Sequence, residues 1–407
     1  MPLTSTLRPW SRWFAHVGTS RACWRILHEA VARSGAREIL EPSGAPLTVP
    51  LSPLPRGLSA RTWLEQLGPE HWFPRLHGAV RSGVARSTLE TLLSPPEQRA
   101  LEARARRALD GVILAHGGLE LDFGSPRKWR LAPMDPSRRE WPLAHGARVL
   151  QQSSELGDIK DVWALGRSLH IFDWVRARAL ERDVSSCWSQ ALADDLATFE
   201  AQNPWRAGPH WSSGQECAIR ALVWCFGVAA LGQDDGFTQT DFARFVRLIE
   251  YHARFIDENL DFARFAVPNN HLIIEAIALA AIGVLFPWLR DAARYRERGV
   301  TTLNQEALSQ FSPDGGYVQA SHNYHRLALE YLLWAARLIP KSLLSPHRLH
   351  GIFYRSARSL SAQMHDRARG HLPNWGANDG ARMHRLSEAE HRDYRPLLAS
   401  LYQELGA

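Results

Sequence analysis

Pro268-Asn269-Asn270-His271-Leu272-Ile273-Ile274-Glu275 and Ser312-Pro313-Asp314-Gly315-Gly316-Tyr317-Val318-Gln319-Ala320-Ser321-His322-Asn323-Tyr324-His325 decide how this chain is read. Each places polar, proton-carrying side chains where a helix begins, and each runs into a strongly apolar helix. Asn, His and Tyr facing one another from two helix starts make a wet, reactive spot in a helical protein. On position alone, Asn269 or Asn270 after a proline is a helix N-cap and Asp314-Gly315-Gly316 a turn. His271, Tyr324 and His325 taken singly read as structural side chains. The rest of the chain is scaffold or wall for that spot.

Outward from these stretches the chain is helix after helix. From about Ile159 the apolar spacing predicts helices over 159–182, 188–202, 211–231, 241–259, 270–286, 301–311, 324–338, 346–367 and 387–405. Pro or Gly falls at most breaks, and nothing suggests a parallel sheet. Serial antiparallel helix pairs form a bundle, a superhelix or a closed double ring. No fixed-period repeat is visible, so a ring is the expected architecture, with inner helices apolar nearly all round, as 270–286 is.

The first part of the chain is less regular. Ser20–Ser34 reads as an amphipathic helix, 41–57 as a Pro/Gly/Ser-rich loop, and 59–83 as one or two short helices. Ser94-Pro95-Pro96-Glu97 has the capping-box form and starts a helix to about Leu109. Val112–Phe123 holds two apolar runs around His116-Gly117-Gly118, a short β-hairpin and the only convincing strand signal. We divide the chain into an N-terminal region, 1–140, packing on a helical domain, 141–407.

Composition narrows the function classes. With 407 residues and 45% apolar content the chain can bury a large core. The net charge is +6 and the pI about 9.4. Lys128, Lys160 and Lys341 are the only lysines, so arginine carries almost all positive charge. Codon bias toward Arg takes the larger share of the explanation, and the functional alternative is an acidic partner such as nucleic acid, anionic lipid or an acidic polysaccharide. No Lys/Arg run marks a nucleic-acid tail, so a diffuse basic cleft is expected rather than a nucleic-acid-binding face. The 16 Trp are mostly core, with a surplus suited to stacking on sugars. Cys23, Cys187, Cys217 and Cys225 form no metal or redox pattern and read as buried thiols. No metal or cofactor is called for. No signal-peptide core or spanning segment is visible, which by sequence points to the cytoplasm and no membrane insertion.

Two further polar clusters precede the opening pair. They are Gly157-Asp158-Ile159-Lys160-Asp161-Val162-Trp163-Ala164-Leu165-Gly166-Arg167, and Asn203 to Arg220 with Trp205, His210, Trp211 and Glu216. A shorter one, Asn374 to Arg382, follows and contains Asp379. The four main clusters begin helices, so in a ring their starts meet on one rim.

In this order the clusters resemble the heparinase II/III-like polysaccharide lyases, a family that includes some alginate lyases. The resemblance runs from about Trp141 to Arg382. It rests on Gly-Asp-Ile-Lys-x-x-Trp-x-x-x-Arg, Asn-Pro-x-x-x-Gly-x-x-Trp, Asn-His and Asp-Gly-x-x-x-x-x-Ser-x-x-Tyr-His. It implies an all-α, incomplete (α/α) toroid, normally followed by an antiparallel β-sandwich that supplies a further catalytic histidine. That sandwich has no counterpart before Ala407, so a separate β-sandwich or a homo-oligomer is an expected partner. The resemblance also implies β-elimination at a uronic acid of an acidic polysaccharide, with Asn270, His271 and Tyr324 at the catalytic positions. Family members are usually exported, which makes the periplasm the alternative location. His210 stands where the pattern has Asn, and Gln319 where it has Glu.

The chemistry of the residues agrees. Elimination removes the proton beside a uronate carboxylate, so the site must neutralise that carboxylate and hold the developing enolate. Asn270 offers an amide and the positive end of a helix. His271 donates a second hydrogen bond or acts as base. Tyr324 moves a proton, and with an ordinary pKa of ~10 it needs nearby positive charge, from His322, His325 or an Arg, to serve as base. Glu275, one turn on, is placed to orient the His271 ring. Lys160, Arg167, Trp205, His210, Trp211, Glu216, Arg220, Gln319 and His325 are the candidate substrate-binding residues. Two other readings stay open: a non-catalytic glycan-binding toroid in polysaccharide assembly, and a glycoside hydrolase using Glu216 and Asp379 as its carboxylate pair.

Overall fold

The computed structural model describes residues 50–150, 153–181, 187–383 and 387–406. The helix expected at 20–34 and Cys23 lie outside them.

Four helices lead in: α1 (Ala60–Leu67), α2 (Trp72–Arg81), α3 (Val84–Leu92) and α4 (Pro95–Leu109). The capping box at Ser94 forms, with Glu97 bonded back to the Ser94 N–H. A two-stranded antiparallel hairpin follows, β1 (Val112–Ala115) and β2 (Leu119–Asp122), in the register Val112 to Asp122. It is the only sheet among the described residues. The helical array then comprises α5 (Ile159–Gly166), α6 (His170–Leu180), α7 (Cys187–Gln202), α8 (Gly214–Leu231), α9 (Gln239–Phe265), α10 (Asn270–Leu285), α11 (Ala292–Gln305), α12 (His322–Leu338), α13 (Pro346–Ala362) and α14 (Arg395–Leu405).

Helices α6, α8, α10 and α12 pack side by side in that order as the inner layer, while α7, α9 and α11 lie outside them. This is the incomplete (α/α) toroid. The sequence explains the layering. All 18 residues of α8 are buried, as are nearly all of α10, because neither has a polar face. By length and composition α8 would pass for a membrane span, but its whole window is inside the fold. The outer helix α11 buries only a narrow stripe, Ala292, Tyr295, Gly299, Thr302 and Leu303. It crosses α10 closely because Gly299 has no side chain: a Cβ there would lie 2.4 Å from the Ala280 nitrogen. The lead-in helices are part of the same core. Trp63 is fully buried, stacks on Phe286 at 5.4 Å and donates from Nε1 to the Leu285 carbonyl at 2.9 Å.

Several helix limits differ from the sequence reading. The helix expected over 159–182 is two, α5 and α6, because Ser168 takes a left-handed turn at φ 57°. The helix expected from 211 starts at Gly214, since Pro209–Trp211 form a 3₁₀ turn. The one expected from 301 starts at Ala292, its first turns hidden by the charged run Arg294 to Arg298. The last two are shorter than expected, α13 ending at Ala362 and α14 beginning at Arg395, and α3 was not foreseen.

Candidate active site

The rim where α5, α8, α10 and α12 begin is built from helix caps. Asp158 caps α5 by accepting the Lys160 N–H at 2.9 Å, which sets Lys160 and Asp161 in the first turn. Asn269 caps α10 by accepting the His271 N–H at 3.0 Å, so Asn270 is the first helical residue. Ser321 caps α12 through the Tyr324 N–H at 3.2 Å. In each case the capping residue frees the next side chains for the rim.

A chain of polar contacts ties these starts together. Arg167, just past α5, makes a two-pronged ion pair with Glu216 of α8, both contacts 2.8 Å. Both partners are buried. Glu216 also accepts from Gln215 Nε2, and Gln215 Oε1 accepts from Asn270 Nδ2. Asn270 is 2% exposed, and one of its two amide hydrogens is committed to Gln215. His271 beside it is half-buried. Burial and Arg167 hold its imidazole down, to about 4, against the pull of Glu216 and Asp379, so it is neutral at pH 7.

Tyr324 donates from its hydroxyl to Asp379 Oδ2 at 2.9 Å. Lys160 Nζ lies 3.6 Å from the same oxygen, and Oδ1 accepts the Ala381 N–H at 3.0 Å. Burial, then the Asp379 charge, push the phenol above its ordinary value, with Arg167 opposing. Against the upward pull of burial, Arg167, the Ala381 N–H, Tyr324 and Lys160 keep Asp379 below the usual carboxylate range. Tyr324 is therefore a protonated phenol beside a carboxylate, not a phenol primed by a cation. Neither histidine expected to prime it does so. His322 bonds the Pro373 carbonyl and Gln363, and His325 bonds Ser356.

The hairpin tip closes the other side. His116, at φ 47°, places Nε2 2.9 Å from Asp161 Oδ1 and Nδ1 3.2 Å from the Asp379 carbonyl. A carbonyl and an ionised carboxylate both only accept, so both ring nitrogens carry protons in this arrangement. The Asp161 bond raises the His116 pKa above its ordinary value, against burial and Arg167. The loop after Asp379 docks tightly on this tip: a Cβ at Gly380 would fall 2.2 Å from the His116 carbonyl carbon. An open cleft of about 580 Å³ results, lined by His116, Lys160, Asp161, Asn378, Asp379 and His391.

Several residues expected to bind substrate are instead its support. Trp205 and Trp211 are buried edge-to-face at 5.0 Å, and Trp211 Nε1 donates to the Asn203 carbonyl. His210 is fully buried, bonds the Trp129 carbonyl at 2.7 Å, and is held down to about 3 by burial and Arg220. Arg220 is fully buried, donating to His252 Nε2 and to the Gly166 and His210 carbonyls. It ties three segments together and is no fork for a substrate carboxylate. The Pro209–Trp211 turn tucks this whole group beneath the rim. His325 is 5% exposed and stacks on Tyr317. Gln319 is half-buried before α12; like Asn270, His271 and Tyr324 it is not in the cleft lining, but unlike Tyr324 it has no bond to Asp379.

Glu275 does not orient His271. Its carboxyl packs on Gly214, where a Cβ would lie 2.5 Å away, and it takes the Gln215 N–H. Glu216, fully buried against Arg167, cannot pair with Asp379 across a glycosidic bond, which removes the structural basis for the hydrolase reading. Lys160, Asp379, Tyr324 and His271 remain at the rim. His116 and His391 were missed. His116 was visible only as a hairpin turn, and His391 carries no local signal.

A toroid rim of Asn, His, Tyr and a Lys–Asp pair is the class of site this fold presents. Residues 207–344 match the family model described as "Heparinase II/III N-terminus". Two curated relatives are each named "Heparin-sulfate lyase". The one from Pedobacter heparinus is 35% identical over 241 residues, covering 59% of this chain and 33% of the relative. The one from Bacteroides stercoris is 23% identical over 239 residues, covering 55% and 33%. Among solved structures, a heparan sulfate lyase from Pedobacter heparinus is similar at 17% identity and TM-score 0.47, covering 73% of this chain and 48% of that one. A heparinase III is similar at 15% identity and TM-score 0.47, covering 79% and 47%. The chain is similar to the heparinase II/III-like family through this model and these relatives. Its match spans about a third of the length of these curated relatives.

Proposed function

We propose that this chain carries the toroid part of a polysaccharide lyase that cleaves an acidic, uronate-containing glycan by β-elimination. The observation that carries the reading is the convergence of a neutral His271 and a protonated Tyr324 on the same charged groups, Arg167 and Asp379. Lys160 is 39% exposed and only loosely held to Asp379, so it is the cation available to meet a uronate carboxylate. The remaining Asn270 amide hydrogen and the N-terminus of α10 add to that neutralisation.

In this reaction His271 takes the C5 proton and the electron pair forms the C4–C5 double bond. The C4–O bond breaks, and Tyr324 gives its proton to the departing oxygen. Solvent returns the proton from His271 to Tyr324. A phenol with a raised pKa suits this role, because it keeps its proton until a strongly basic oxygen develops. Cleaving both sugar epimers would require Tyr324 also as base, which the Asp379 charge opposes.

Incubation with heparan sulfate, alginate and glucuronan tests the reading. The expected result is rising ultraviolet absorbance from the unsaturated uronate on at least one of them. Folded protein that produces none on any of the three would sink it. A product lacking the double bond would indicate hydrolysis instead.

A further inference from the structure

The outer face of α13 carries charge of one sign. Between 341 and 372 there are six Lys/Arg and one carboxylate, Asp366, against 48 and 42 in the whole sequence. Three of the six, Arg348, Arg355 and Arg358, lie on α13, where helix geometry gathers them on one side. Leu349, Ile352, Phe353, Ser356, Ala357 and Leu360 face the core, while His347, Arg348, His350, Tyr354 and Arg358 are exposed and Arg355 is partly so. None of the arginines on this helix has a carboxylate partner among the described residues. Arg348 donates to the Asn304 carbonyl, and Arg358 lies over the Tyr354 ring at 5.7 Å. Asp366 and Asp314, two carboxylates near the face, are hydrogen-bonded within their own turns. Asp366 takes the Arg369 N–H, and Asp314 is held by Ser312 and the Gly316 N–H.

This face leads to the cleft. The helix is 17 residues long, about 25 Å. Its C-cap, Gln363, bonds His322 Nε2 at 2.9 Å, and His322 is the first residue of α12, two before Tyr324. The His322 N–H donates to the Trp375 carbonyl. Trp375 is 65% exposed, a flat apolar platform beside Asn374 and Asn378 of the cleft wall.

We propose that the exposed face of α13, with Trp375, is a docking track for the polyanionic chain outside the cleft, binding several sugar units beyond those that react. The identity of the occupant rests on the lyase reading, and its charge on the track itself. Unpaired arginines on a rigid helix offer forked donors to carboxylate or sulfate groups. A long chain therefore binds more tightly than a short one, and its binding weakens as salt screens these contacts.

The test compares wild type with R348Q/R355Q/R358Q on immobilised heparan sulfate, in surface plasmon resonance at two salt concentrations. Affinity is expected to fall about tenfold, as for three exposed ion pairs, with a shallower salt dependence. A Trp375→Ala change should weaken binding with its salt dependence intact. If circular dichroism shows the triple variant misfolded, the exposed single change Arg358→Gln carries the test, with about a twofold loss. Unchanged affinity in a folded variant overturns the track. Loss of affinity in a protein that cleaves nothing supports the track while sinking the lyase. Cleavage by a variant whose long-chain affinity and KM are unaltered does the reverse.

Discussion

The Tyr324 hydroxyl is hydrogen-bonded to Asp379 Oδ2 at 2.9 Å, and that oxygen is also the one facing Lys160. The phenol, the carboxylate and the ammonium come from three separate segments, which makes this the most informative place to intervene. Tyr324→Phe removes one hydroxyl at a half-buried position whose ring still packs on the core. Uronide cleavage, followed by ultraviolet absorbance, should fall by about 10²–10⁴-fold, the range of a lost general acid. The thermal unfolding midpoint should change little. A variant that retains a tenth or more of wild-type activity would remove Tyr324 from proton transfer.

Asp379→Asn separates charge from position. The Asp379 carboxylate is one cause of the raised phenol pKa, and Arg167 opposes it. Without the carboxylate the phenol ionises at lower pH. The limb of the pH–rate profile that reports Tyr324 losing its proton should therefore move toward acid. A profile whose limbs stay in place would show that this phenol does not set them.

How much of this was legible in the sequence depends on the distance over which each signal acts. The caps at Asp158, Asn269 and Ser321 are local, so the helix starts and the rim they share could be read from spacing. Whether Trp211 or Arg220 faces the cleft or the core is decided by the Pro209–Trp211 turn and by His252 and Phe255 from α9. No window around either residue contains that information. His116 and Asp379 meet across 263 positions, through a hairpin whose turn looked like mere punctuation. The break at Ser168 went unseen because a left-handed serine leaves no compositional mark.

The Arg167–Glu216 pair offers a stability prediction. Both groups are buried and bonded twice to each other. Glu216→Gln leaves the guanidinium charged and uncompensated in a dry site, at a cost of about 3 kcal/mol or more. Urea denaturation should show this as a lower midpoint with the same m-value. Replacing both residues together, R167M/E216L, should recover much of the loss, since no lone charge remains. A double variant less stable than the single would show that the pair's neighbours, not its charge, set the effect.

The contact of α10 with α11 depends on one missing methyl group. A Cβ at Gly299 would meet the Ala280 nitrogen at 2.4 Å and the Ala276 carbonyl oxygen at 2.5 Å. These are backbone atoms in a nearly fully buried helix and cannot rotate away. Gly299→Ala gains helix propensity, about 1 kcal/mol, but forces the two helices apart. The overpacking term, typically about 1–3 kcal/mol, should win and leave the variant less stable. Equal or higher stability in urea would mean the helices separate freely.

Two sets of histidines give opposite pH responses. Burial holds His210, His252, His271, His325 and His391 below their ordinary value, so the unfolded chain binds more protons than the folded one as pH falls below about 6.5. Their contribution to stability is level above that pH and declines on acidification through the window down to the folded values. His116 is the reverse. Its pKa is raised by Asp161, so the bond it makes is fully present below about pH 6.5 and weakens as pH rises through the raised value. Global unfolding midpoints should therefore drop from pH 7 to pH 5. Amide exchange at the hairpin tip, corrected for its intrinsic pH dependence, should show protection that falls from pH 6 to pH 8. Asp161→Asn should abolish the second trend and spare the first. Hairpin protection that follows the global curve at every pH would show that the His116–Asp161 contact does not hold the tip over the cleft.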